Sequence, residues 1–136
     1  MKMEKPIRIQ RLRKRGFNLQ KASPNGLPVV YVGRPTKWGN PIMLICDMIY
    51  VDASYRRKLL DPWVYYSQGD MGDVLHLYKH ILQGTQFANV DLQYWSDKFK
   101  ENDISELKGK NLACRCPLTN KCHADVLIEM ANFNTF

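Results

Sequence analysis

Apolar and polar residues alternate over Ile7-Arg8-Ile9-Gln10-Arg11, the period of a half-buried strand. Its isoleucines are expected on one face and its cations on the other. Val29-Val30-Tyr31-Val32 is β-branched and aromatic throughout and predicts a second strand, ended by Gly33 and Pro35. The apolar stretch over 42–51 reads as a strand, or as a hairpin turning near Asp47, with Cys46 as a buried core thiol. Asp52-Ala53-Ser54 can cap a helix over 55–60. Val74, Leu77, Tyr78 and Ile81 mark the apolar stripe of a helix over 73–82, and Gly84 is a natural stop. A short helix is expected over 92–99. A strand over 111–116, a loop over 117–121 and a helix over 123–131 close the chain. This order predicts a single α/β domain over residues 1–136, with a small mixed sheet flanked by helices and a strand-loop-helix ending.

A length of 136 residues suits one domain. No run approaches the roughly 18 apolar residues of a membrane span. The N-terminus lacks the apolar core of a secretion signal, so no membrane partner is expected and the cytoplasm is the expected compartment. The net charge of +7 sits entirely in residues 1–21, which hold eight basic side chains against Glu4. The remaining residues hold twelve of each sign. The basic segment over 6–15, with Arg8, Arg11, Arg13, Lys14 and Arg15, therefore suits an anionic partner, nucleic acid among them. A merely solvated terminus accounts for it equally well.

Two segments concentrate chemistry. In Val32-Gly33-Arg34-Pro35-Thr36-Lys37-Trp38-Gly39-Asn40-Pro41, Gly33 lets backbone approach a ligand. Arg34 can grip a phosphate through two nitrogens, and Lys37 adds a point charge. Trp38 can stack on a base, and Asn40 can donate to and accept from a base edge or sugar. A rigid corner with Trp38 plugging the core is the plainer account. The second segment is Cys114-Arg115-Cys116-Pro117 followed by Cys122-His123. Clustered cysteines in a reducing compartment point to metal or reactivity. Cys114, Cys116, Cys122 and His123 are a complete tetrahedral zinc set, although adjacent Cys122 and His123 make joint ligation awkward. Alternatively, Cys122 and His123 open the last helix, where a thiol acidifies and anions bind. The loop over 117–122, helped by Arg115 and Lys121 and with Cys116 beside it, would then bind phosphate or carboxylate, with Cys122 or His123 as nucleophile or proton carrier. Asp73, His76 and His80 share a helix face but read best as solvated polar residues. Asp125 and Glu129 read best as surface carboxylates.

Residues 8–11, 30–41, 107–117 and 122–127 together resemble a family of bacterial and phage proteins known as domain of unknown function 4326. Residues 42–106 match weakly and look lengthened. Arg115 stands where the family often has an aromatic residue, and Ile42 where it often has Phe. The resemblance implies a shared α/β domain, a phage or mobile-element association and hence a host cytoplasm, and no established activity. The expected function is binding, with processing as an extension, of a nucleotide or other phosphorylated small molecule between the two motif loops. A nucleic-acid module and a zinc-stabilised protein adaptor are the rival readings.

Overall fold

The computed structural model describes residues 5–12, 15–57 and 61–132. The architecture is α/β, with two three-stranded sheets and three α-helices, and it ends in strand, loop and helix. The described residues fall into two units, one of residues 5–39 with 103–132 and one of Asn40–Asn102.

The first unit is built on a parallel sheet. Strand β1 (Arg8–Gln10) and strand β2 (Val29–Tyr31) flank strand β6 (Asn111–Cys114) in the order β1-β6-β2. Ile9, Ala113 and Tyr31 stand in register. They share a face with Val29, covered by Leu19 and Ala22. Helix α3 (His123–Asn132) packs against β6 and β1. All four residues of β6 are buried, as befits the centre of a parallel sheet covered on both sides. The same cover corrects the expectation for β1. Arg8 is turned inward with its side chain 7% exposed. Arg11 lies past the strand's end, with opposite parity to Arg8, so the cations do not share one outer face. At the amino edge, the fully buried Asn111 side chain accepts from the Ile7 N–H at 2.9 Å. It donates to Ser23 Oγ at 2.9 Å and to Asn25 Oδ1 at 2.7 Å. One amide thus ties the expected turn at 23–26 to the starts of two strands.

The second unit holds an antiparallel sheet of β3 (Ile42–Ile45), β4 (Met48–Asp52) and β5 (Trp63–Gln68). The hairpin expected near Asp47 is present. Cys46 and Asp47 form its two-residue loop at φ 49° and 61°, the geometry that matches strand twist. Cys46 is consequently exposed rather than buried in the core. The expected helix after residue 54 is a 3-10 turn over Ser54–Arg56; residues 58–60 lie outside those described. Strand β5 is the element the sequence reading missed. Helices α1 (Met71–Leu82) and α2 (Val90–Phe99) agree with the periodic pattern. Asp70 and Asp73 cap α1 reciprocally. Beneath α2, buried Asp91 accepts from Tyr55 Oη at 2.6 Å and pairs with Arg56 at 2.7 Å. His76 and His80 adjoin through their Nε2 atoms at 3.1 Å, whereas Asp73 serves the cap.

Candidate functional site

The chemistry-bearing residues of the first unit gather where the three parallel strands end. Past β2, Val32 N–H still donates to Ala113 carbonyl at 2.8 Å. The chain then turns through Gly33, and the Arg34–Pro35 peptide is cis. Thr36 Oγ1 donates to the Gly33 carbonyl at 2.7 Å, and Gly39 N–H donates to the Thr36 carbonyl at 2.9 Å, so the loop braces itself. A Cβ on Gly33 would fall 2.5 Å from the Tyr31 hydroxyl. Glycine there accommodates the neighbouring ring. Trp38 is 3% exposed and plugs the core, which corrects the reading of it as a stacking surface. Lys37 pairs with Glu106, in the 3-10 turn Ile104–Leu107, and lies 5.5 Å over the Trp38 ring. A cleft of about 290 Å³ opens here, lined by Tyr31, Thr36, Lys37, Glu106 and Lys110 among others. Arg34 is exposed. Asn40 falls in the second unit, where its Oδ1 accepts from the Ile42 N–H at 2.9 Å.

Past β6 the second motif folds onto the start of α3. The sulfur atoms of Cys114, Cys116 and Cys122 lie within 4.8 Å of one another, an arrangement that can hold a metal ion. Cys114 and Cys122 are closest, at 3.0 Å. His123 Nδ1 is 3.4 Å from Cys122 Sγ, and its Nε2 is 2.8 Å from the Val32 carbonyl. That last contact joins the two motifs directly. Cys122 and His123 are buried, while Arg115 and Lys121 are exposed.

Several donors converge on Cys122. The Cys114 thiol, the His123 ring and the Ala124 N–H at the helix start pull its pKa down to about 3, against the opposing effect of burial. Cys114 is pushed far upward, first by its hydrogen bond to Cys122 and then by burial. Burial raises Cys116. One thiolate shared among three sulfurs is the resulting charge state. At the start of α3, Asp125 Oδ2 accepts from the Cys122 N–H at 3.2 Å.

Arg8 is the residue whose role the sequence reading mistook. Its Nη2 donates to the carbonyls of Pro117, Leu118 and Asn120 at 3.2, 2.9 and 2.6 Å, clamping the loop between β6 and α3. Its Nη1 is buried without a hydrogen bond, 3.5 Å from Asp125 Oδ2, and the guanidinium lies beside Cys122. This cation faces the sulfur cluster, with its side chain 7% exposed. Arg11 covers the Tyr31 ring at 4.6 Å. Arg15 is exposed; Arg13 and Lys14 lie outside the described residues. Arg8 is 109 to 112 positions from the carbonyls it clamps, and only the β1-β6 pairing reveals the contact.

A family model described as Domain of unknown function (DUF4326) matches residues 13–133. No curated protein and no solved structure matches the chain. Among the described residues no helix is long and apolar enough to cross a membrane.

Proposed function

The chain belongs to the DUF4326 family, and we propose that it binds a phosphorylated small molecule, nucleotide-like in charge, at the carboxyl edge of sheet β1-β6-β2. One observation carries this reading. The segments that follow all three parallel strands bring Arg11, Arg34, Lys37, Arg115 and Lys121 to that edge, and His123 ties two of these segments together. Ligands of open parallel sheets bind outside the carboxyl ends of the strands. Arginine suits phosphate because its fork matches two oxygens at once. The cleft of about 290 Å³ is lined by Lys37 but not by Arg34 or Arg115, so the reading rests on the exposed cations of the edge and not on that cavity. Cys122 and His123 are buried and engaged with each other, so they are assigned to holding the edge rather than to attacking the ligand.

The test is a thermal-shift screen of nucleoside and sugar phosphates, followed by calorimetry. Arg34→Ala and Arg115→Ala are each expected to weaken a hit at least about tenfold, the loss of a charged contact. Binding that both variants leave intact would end the reading.

A zinc-stabilised domain is the second reading, and it does not exclude the first. It is favoured by the three sulfurs within 4.8 Å, because thiolates select zinc among the common divalent ions.

A further inference from the structure

We infer that Cys114, Cys116, Cys122 and Nδ1 of His123 are the four ligands of one tetrahedral zinc ion, and that Arg8 balances its charge. This deepens, and rests on, the zinc reading, to which it adds a ligand set and a partner.

The separations among the three sulfurs, and from Cys122 to His123, are close to those that zinc needs. Bonds of about 2.3 Å to sulfur and about 2.0 Å to nitrogen place tetrahedral ligands roughly 3.8 Å apart for two sulfurs and roughly 3.5 Å for sulfur and nitrogen. The Cys122 Sγ to His123 Nδ1 separation is 3.4 Å, and the three sulfurs lie within 4.8 Å of one another. Cys114 and Cys122, at 3.0 Å, need to part by less than an ångström, a change within reach of side-chain rotation.

The histidine is prepared for the task. Val32 carbonyl, 2.8 Å from Nε2, can only accept, so Nε2 keeps a proton, and Nδ1, which faces Cys122 Sγ in the metal-free protein, is the nitrogen that takes the metal as binding displaces protons from the cluster. Metal-bound histidines characteristically donate their other nitrogen to a carbonyl or carboxylate in this way. The adjacency of Cys122 and His123, awkward in sequence, is accommodated because Cys122 Sγ and His123 Nδ1 lie 3.4 Å apart where the chain enters α3.

Arg8 supplies the independent observation. Its side chain is 7% exposed, and its guanidinium lies beside Cys122 and 3.5 Å from Asp125 Oδ2. Three thiolates and one zinc dication carry a single net negative charge, and a buried guanidinium facing that charge lowers the cost of burying it.

The experiment starts from untagged wild type grown with zinc. Metal content is measured, and the zinc is then exchanged for cobalt to record the charge-transfer and d–d bands. One zinc per chain and tetrahedral cobalt with sulfur-to-metal charge transfer are expected. His123→Ala should keep the charge-transfer band and shift the d–d envelope. Arg8→Gln should weaken zinc binding by about 10–100-fold in competition with a chelator, with an unchanged cobalt spectrum, and Arg8→Lys should recover most of that loss. Wild type without zinc would overturn the zinc reading itself. Zinc-loaded His123→Ala with the wild-type d–d bands would overturn the ligand set and leave the zinc reading standing. Arg8→Gln binding zinc at full strength would remove Arg8 from the site. Should His123→Ala not fold, cadmium NMR of the cadmium-loaded wild type decides. A shift for three sulfurs and a nitrogen supports the ligand set, and one for three sulfurs and an oxygen overturns it.

Discussion

Gly33 opens the first motif loop, and the structure gives it a steric purpose that can be weighed. Its φ is not in the left-handed region, unlike those of Gly16, Gly26, Gly84 and Gly109, so alanine is admissible there on backbone grounds. The obstacle is Tyr31. A Cβ on residue 33 would lie 2.5 Å from the Tyr31 hydroxyl, 2.6 Å from Cζ and 3.1 Å from Cε2, well inside van der Waals contact. In Gly33→Ala the ring must therefore swing away. It then loses the Arg11 guanidinium stacked 4.6 Å above it, worth about 0.5–1 kcal/mol at a partly exposed site. It also loses packing on Ile9, Val29 and Ala113, and forced repacking of this kind costs about 1–3 kcal/mol. A destabilisation of about 2 kcal/mol is expected.

The double mutant isolates the cause. With Tyr31→Ala the obstructing atoms are gone, and Gly33→Ala should then cost nothing, or gain about 0.4–1 kcal/mol by restricting the unfolded chain. The coupling between the two sites is therefore expected at about 2–3 kcal/mol, within the range for residues in contact. Urea denaturation of the four proteins, followed by circular dichroism, supplies all the numbers. An equal penalty for Gly33→Ala with and without the tyrosine ring would refute the steric account and return Gly33 to the ligand.

Two further outcomes separate fold from site. Asn111→Leu removes the buried amide that accepts from the Ile7 N–H and orders Ser23 and Asn25, so a loss of about 2–4 kcal/mol is expected. Because Asn111 opens β6 at the edge opposite the motif loops, ligand affinity of the folded fraction should not change; urea denaturation and calorimetry check both. In metal-free protein, Cys122 titrates at about 3 against 9.0 for an ordinary thiol, so between those values the unfolded chain holds the extra proton. Stability should rise with pH across that window, and its Cys122 share is complete above pH 9 and lost as pH falls toward 3. Above pH 9 the raised Cys114 acts the other way, since there the folded chain keeps the proton. Denaturation at stepped pH should show the slope in the metal-free wild type and its flattening in Cys122→Ser; a flat wild-type profile would contradict the shared thiolate.

What was legible in the sequence was whatever a local period or turn residue encodes. The stripe of Val74, Tyr78 and Ile81 is buried as its spacing requires, and Gly84 adopts a φ of 73° after α1. Strand β5 was hidden for a definite reason. Ile49 pairs with Ser67 but Tyr50 with Tyr65, so Tyr66 is an extra residue in a bulge, and a bulge erases the period-two pattern. Cys46 was misplaced because apolarity cannot separate the end of a strand from the two-residue loop beyond it.

Arg8 and Trp38 share a deeper limit. A cation in an alternating strand points to solvent only if that face is open, and α3, from the other end of the chain, closes it. A tryptophan among cations looks like a stacking platform until a turn such as Ile104–Leu107 adjoins its loop. In both cases the deciding partner is distant in sequence and arrives through the parallel pairing of β6 between β1 and β2. The same pairing carries Cys114 to the end of β6 beside Arg8, brings Cys122 back at the head of α3 and leaves His123 against Val32. The two motifs therefore meet at one buried contact, His123 against the Val32 carbonyl. They are the two sides of one buried polar cluster, and the exposed cations around it owe their positions to that cluster. On the proposed reading, the sulfur, imidazole and guanidinium groups govern whether the edge exists, whereas Arg34 and Arg115 govern what it binds.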